Sequence, residues 1–428
     1  MATIQDHELR YALANELHAR PFPALNPPCF AAYIAIKRPT DAAGRDRAED
    51  VAHLHALLDR FGAPHPKAGD NHFFGEIGKH TLKWEQHTEF VTYTIFGDGN
   101  AEKPFDPKVF DVFPADWLAQ APGVRLTSAL VRVEIMPGED EMRRKIDDWF
   151  VAESVAASSV LDGAAIIAGD FRIDPGGHMR FGVFTGPEIT ERRVGRIVQR
   201  LTEIETYKAM SMLGLARARS VQGRLGDLED ELSQMVRQLG KAGTSHEAEL
   251  GELLQISAEL ESLHAQTSFR FGATSAYEAI VTDRIRVLRE ERWDGRQTLN
   301  EFMMRRFDPA MRTVKSVERQ LGDMAERAER AGDLLRTRVD VERSAQNQKL
   351  LESMDRRADL QLRLQETVEG LSVVAISYYA VSLLAYLVEP LAYRLGVDKT
   401  WAKAGLVLPV VLVVWLIGRS VKKRLIHK

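Results

Sequence analysis

Hydrophobic and polar positions along this 428-residue chain fall into three regimes. Up to Gly186, strand-like runs alternate with helix-like stretches. Leu9, Leu13 and Leu17 recur at helical spacing within 5–19, and 29–37 is a β-rich run. Over 45–61, Val51, Leu54, Leu57 and Leu58 share one helical face, and Gly62 and Pro64 stop it. Residues 80–86 and 89–96 read as two strands with a short turn between them. A short helix over 114–120, a strand over 125–135, a helix over 139–151 and a hairpin of 164–173 with 178–184 follow. Interleaved strands and helices predict an α+β fold, with a mixed-sheet α/β domain over 1–186.

The second regime is helical. Ile197, Leu201 and Ile204, then Val221, Leu225, Leu228, Leu232, Met235 and Leu239, keep a 3–4 spacing until Gly240 and Gly243 break it. Leu250, Leu253, Leu260 and Leu263 resume it. Pro309 is the one proline between 188 and 369, and after it Val314, Val317, Leu321, Met324, Ala328, Ala331 and Leu335 carry an unbroken heptad pattern. We expect an antiparallel helical region over 187–308 and a long stalk helix over 309–369. Unbroken from 310 to 388, that helix is about 120 Å long at 1.5 Å per residue. Its stripe is satisfied either by an intramolecular helical hairpin or by a second stalk in a coiled coil. Ala328 and Ala331 are small and favour close helix approach.

The third regime is apolar. Residues 370–388 and 404–418 contain no charged side chain. A bilayer core needs about 20 mostly apolar helical residues. The first segment meets this alone, and the second does so once 400–403 are added, with Lys403 snorkelling. The domain at 370–428 is therefore expected to hold two transmembrane helices, about 370–388 and 400–418, ending in a basic tail. Arg356, Arg357 and Arg363 precede the first span, and Arg419, Lys422, Lys423, Arg424 and Lys428 follow the second. Basic residues at span ends stay on the cytoplasmic side. Both termini are accordingly expected on the cytoplasmic side, with only the 389–403 loop outside. The N-terminal stretch has no apolar signal-peptide region.

Charge sharpens this picture. Residues 1–186 carry 19 Lys and Arg against 27 Asp and Glu, whereas 370–428 carry eight against two. The acidic part argues against nucleic acid as a partner, and the basic end argues for anionic headgroups of the lipid bilayer. The single cysteine, Cys29, excludes an internal disulfide and reads as a buried thiol.

Candidate chemistry is sparse. On the first span Ser372, Ala375, Tyr379, Ser382, Tyr386 and Glu389 recur at 3–4 spacing on one side. Such a face either packs against another helix or lines a pore for a cation, with Glu389 at its mouth. Eight histidines (His7, His18, His53, His55, His65, His72, His80 and His87) crowd the first 87 residues without metal-ligand spacing, and read as scattered surface groups. His178 has no evident partner. Glycine-rich phosphate loops, the GxSxG elbow and paired-carboxylate motifs are absent. No catalytic, cofactor-binding or metal site is expected, and no enzymatic activity.

Two segments, 8–23 (ELRYALANELHARPFP) and 196–215 (RIVQRLTEIETYKAMSMLGL), together with the C-terminal hairpin, resemble an uncharacterised bacterial family of membrane-anchored proteins, domain of unknown function 3422. The resemblance covers nearly the whole chain and implies location, but no activity. The order of elements, and 360–375 (LQLRLQETVEGLSVVA), more loosely resemble CorA-type magnesium transporters, which are oligomers. The Gly-Met-Asn motif of those transporters is missing: the corresponding stretch reads Leu387-Val388-Glu389-Pro390-Leu391. The resulting expectation is a membrane-anchored, homo-oligomeric scaffold or sensor with CorA-like architecture. Its alternative is a cation channel or transporter lined by the first span. A membrane-tethered enzyme built on the histidine-rich N-terminal region is the third reading.

Overall fold

The computed structural model describes residues 4–16, 22–40, 42–238, 246–395 and 398–426. In chain order they form helix α1 (Arg10–Glu16), strand β1 (Cys29–Lys37), helix α2 (Arg47–Arg60), strands β2 (His72–Ile77), β3 (His80–Gln86) and β4 (Phe90–Asp98), and a 3-10 turn (Pro107–Val112). Helix α3 (Ala115–Leu118), strand β5 (Val124–Ile135), helix α4 (Glu139–Trp149) and strands β6 (Ala156–Val160), β7 (Ala165–Gly169) and β8 (Met179–Thr185) follow. The remainder is helix α5 (Glu191–Gln238), helix α6 (His246–Arg286), the short strand β9 (Glu291–Arg292) and helices α7 (Leu299–Arg306), α8 (Asp308–Leu395) and α9 (Lys399–Ile426).

By internal contacts the chain divides into two units, residues 1–242 with 251–331 and residues 243–250 with 332–428. The first unit is built on one nine-stranded mixed sheet of order β2-β3-β4-β1-β5-β8-β7-β6-β9. The β5–β8 pair is parallel and the other neighbours are antiparallel.

Successive strand side chains point to opposite faces. On one face Ala32, Ile34, Leu82, Trp84, Tyr93, Ile95 and Leu130 meet Leu54, Leu57 and Leu58 of α2, Trp117 of α3 and Ile146 of α4 in a single core cluster. Asp46 starts α2 by accepting a hydrogen bond from the Ala48 amide at 2.8 Å. The opposite face is covered by α5. The Thr127 hydroxyl of β5 donates to Glu205 of α5 at 3.0 Å, and the Tyr33 hydroxyl of β1 meets Thr206.

The heptad residues of α5 and α8 are buried within one chain: Val221, Leu225, Leu228, Leu232 and Met235 on α5, and Val314, Val317, Leu321, Met324, Ala328 and Ala331 on α8. Polar pairs stitch the bundle: Arg224 to Glu259 on α6 at 2.6 Å, Lys315 to Glu278 on α6 at 2.8 Å, and Gln320 to Glu229 on α5 at 2.7 Å. In this first unit the stripes are thus satisfied without a second copy. The break expected at Gly240 and Gly243 lies outside the described residues, as do Leu17 and Leu239.

The strands β2, β6 and β9 are additions to the expected set. The expected 164–173/178–184 hairpin is shorter, because Asp170 leaves the ladder to accept from the Val151 amide and from Arg180.

In the second unit, α8 and α9 are the two described helices long and apolar enough to cross a membrane. They turn buried residues toward each other: Ser377 and Val410 are buried, and a Cβ built on Gly418 comes within 3.9 Å of Val373. Helix α8 extends to Leu395 and α9 starts at Lys399, so the connection is shorter than the expected 389–403 loop; residues 396–397 lie outside the described set. Every residue from 340 to 372 on α8 is exposed.

Candidate functional site: a polar cavity between sheet and helices

The face of the sheet that meets α5 is not uniformly apolar. Alternation places Tyr33 of β1, Lys83 and Glu85 of β3, and Thr92 and Thr94 of β4 on that side. Cross-strand pairing sets them in rows: Lys83 opposes Thr94, which opposes Tyr33, and Glu85 opposes Thr92, which opposes Ala35. Alanines at 31 and 35 leave space that larger residues would fill. Helix α5 closes the row with Gln199, Thr202, Glu203, Thr206 and Tyr207, spaced to share one face, and Arg284 of α6 closes the side. The result is a cavity of about 220 Å³ with Phe22, His87, Phe90 and Phe96 completing its wall.

Lys83, at 5 % exposure, and Thr206, at 2 %, are buried, while Glu85, Glu203 and Arg284 are partly exposed. The Lys83 ammonium lies 3.1 Å from the Glu85 carboxylate. An ammonium has three donors, so others remain for the cavity. Gln199 donates to Glu203 at 2.7 Å, while its carbonyl oxygen is buried with no hydrogen-bond partner among the described residues. An unpaired buried acceptor costs free energy of order 1–3 kcal/mol, which a ligand or an ordered water relieves. Glu203 also accepts from Arg284 at 2.5 Å. Thr206 donates to the Thr202 carbonyl at 2.8 Å, so the Tyr33 hydroxyl donates to Thr206. Burial pushes the Tyr33 phenol well above its ordinary range, against the smaller opposing effect of that bond, which keeps it a donor. His87 stacks on Phe90 with ring centroids 4.3 Å apart, and Tyr207 stacks on Tyr277 at 5.5 Å. Arg270 and Tyr277, which donates at 3.0 Å, hold the buried Glu89 next to this wall. Donors, acceptors and aromatic edges converge on a volume suited to a small polar molecule.

The residues expected to carry function on α8 lie elsewhere. Ser372, Ala375, Tyr379 and Tyr386 are exposed, and Ser382 and Glu389 are partly buried. The Ser372 and Ser382 hydroxyls donate back to the Val368 and Tyr378 carbonyls at 2.8 and 2.9 Å, so they need no water-filled path. The polar residue turned inward on this segment is Ser377, which the periodic reading passes over.

The histidines are not uniformly at the surface. His53 is buried, stacks on Trp117 at 4.0 Å, and its two ring nitrogens bond the Tyr93 hydroxyl at 2.9 Å and the Trp117 carbonyl at 3.1 Å. Burial holds its pKa below the ordinary value, so it is a neutral core residue. His178 does have a partner, the Ser128 hydroxyl at 3.0 Å, and packs on Phe110. Cys29 is buried, and desolvation pushes its thiol up to about 12, so it is unreactive at neutral pH.

Comparison with curated proteins and with solved structures finds no match to this chain. A family model matches residues 5–425, nearly the whole length, and the chain belongs to that family, described as "Protein of unknown function (DUF3422)".

Proposed function

We propose that this protein is a non-enzymatic, membrane-anchored sensor that binds a small polar molecule in the cavity between β1, β3, β4 and α5. The observation that carries the reading is the buried Gln199 carbonyl oxygen, unpaired among the described residues, on a residue that lines the same cavity as the Lys83–Glu85 pair. Polar groups at a sheet–helix interface cost stability against an apolar filling, and a binding role accounts for their presence.

Anchoring is supported by the two apolar helices and by the basic residues that flank them. In this reading the hairpin sits in the bacterial inner membrane with both termini cytoplasmic. Self-association is supported by 340–372 of α8. A helix segment exposed on all sides gains nothing from tertiary packing. Leu350, Met354, Leu364, Val368 and Leu371 are exposed there and fit one 3–4 heptad register, so a second copy is the partner that covers them. This reading retains the CorA-like scaffold expected from element order. The self-satisfied serines of α8 support anchoring over a hydrated pore for a cation.

The test is release of bound small molecules from the full-length protein purified in mild detergent. Mass spectrometry of the denatured supernatant should find a polar compound near one per chain in the native protein. The compound should be lost from a Gln199→Leu variant that melts normally. The same small-molecule profile from both proteins would overturn the reading.

A further inference from the structure

We propose that Arg193, Arg196, Arg200, Arg286 and Arg289 form a second site, one for an anion carrying two or more phosphoryl groups. The first three stand at i, i+3 and i+7 in the opening turns of α5 and therefore share one side of it. Arg286 ends α6, and Arg289 follows in the next turn. With Leu161 and Val287 they line a space of about 430 Å³, and no residue lines both this space and the polar cavity.

Counting partners shows surplus positive charge. Arg289 pairs with Asp162 at 2.8 Å and Arg286 with Asp283. Among the described residues the Arg193 side chain donates to the Leu161 carbonyl at 3.2 Å, and that of Arg200 to the Val287 carbonyl at 3.2 Å. Arg196 lies over the Phe22 ring, 5.4 Å from its centre. Among the described residues these three have no carboxylate partner, although each guanidinium offers five N–H donors. Burial first, then the charges of Arg196 and Arg284, lower the pKa of Arg200, and the attraction of Glu203 offsets them only in part. Capping two carbonyls would occupy two of the five arginines.

The surroundings favour an anion in other ways. The space opens beside the start of a 48-residue helix, the end that carries the positive pole of its dipole. The adjoining β6–β7 turn holds Leu161 and Asp162 at φ of 54° and 63°, and Arg289 itself at 50°, all in the left-handed region. Leu161 is kept there by the hydrogen bond its amide N–H donates to the Leu288 carbonyl at 2.9 Å, and by Arg193, which donates to the Leu161 carbonyl. Unfavourable backbone held by its surroundings concentrates at ligand clamps. Planar guanidinium forks match phosphate oxygens two at a time, so five of them suit a di- or triphosphate group better than a single carboxylate.

The test uses the full chain in nanodiscs and inorganic tripolyphosphate as the probe, measured by calorimetry. In phosphatidylcholine nanodiscs the native protein should bind, more weakly at about 200 mM than at about 50 mM salt. Arg196→Gln with Arg200→Gln should weaken binding at least tenfold, and the lysine pair should restore it only in part. Arg286→Gln, at an exposed position, checks the site without risk to folding and should also weaken binding. In phosphatidylglycerol nanodiscs, unchanged affinity identifies a free phosphate compound as the natural ligand. Lost affinity there, where each headgroup carries one phosphate, would show the site taken by a single lipid phosphate and would count against a ligand with two or more phosphoryl groups. No binding in phosphatidylcholine nanodiscs, or binding unaffected by the glutamine variants, would overturn the assignment.

Discussion

Lys83 on β3 stands directly across from Thr94 on β4, so its ammonium enters the polar cavity from the floor of the sheet. Only the Glu85 carboxylate, 13 % exposed, lies within ion-pair distance of it among the described residues. Removing one partner of such a pair weakens what holds the other charge in place, a loss that reaches about 3–5 kcal/mol for a fully buried pair. Lys83→Met should therefore lower the melting temperature clearly. Lys83→Met with Glu85→Leu should recover most of that loss, and a thermal-melt double-mutant cycle reads the difference.

Gly214 of α5 sits where a Cβ would lie 2.1 Å from the Thr274 hydroxyl of α6. Alanine improves helix propensity by about 1 kcal/mol. Forced overpacking costs about 1–3 kcal/mol. Because Thr274 is itself buried, we expect overpacking to win. Gly214→Ala should destabilise, whereas Gly214→Ala with Thr274→Ala, which removes the clashing hydroxyl, should relieve part of the clash. Denaturant midpoints measure both.

Acid should weaken the first unit through its two buried histidines. Burial is the leading cause that holds the pKa of both His53 and His178 below the ordinary 6.5. In the unfolded chain they regain that value, so between the folded and unfolded values the unfolded state binds more protons. The stabilisation is complete above about 6.5 and is lost as pH falls from there through the folded values. Melting temperature should drop over that window, and His53→Gln with His178→Asn should flatten the drop.

Self-association should run through the exposed stretch of α8. With Cys29→Ser as background, Met354→Cys should give an inter-chain disulfide on oxidation, while Glu352→Cys, on the other side of the helix, should not. Cysteines at Ala328 or Ala331 should stay unlinked, because both are buried within the bundle of a single chain.

Much of this architecture is legible in the residue pattern. The run at Cys29–Lys37, the heptads of α5 and α8 and the two apolar stretches each announce their element by period and length. β2 (HFFGEI) and β6 (AASSV) lack clean alternation or bulky β-formers, and their pairing comes from neighbouring strands. The cavity is hidden for a different reason. Lys83, Glu85, Thr92 and Thr94 look like ordinary outward strand positions until α5, more than a hundred residues later, covers them. The arginines at 193, 196 and 200 are visible as a spacing, but the approach of Arg286 and Arg289 is a tertiary event. His53 reads as one polar residue among many, and only its stacking on Trp117 makes it part of the core.

The central claim is that α8 and α9 cross a bilayer as a hairpin, which cysteine labelling in intact cells tests most directly. With Cys29 replaced, an impermeant maleimide should modify Asp398→Cys from outside, and should reach Asp340→Cys only after the membrane is opened. Labelling of both sites, or of neither, in intact cells would contradict the account.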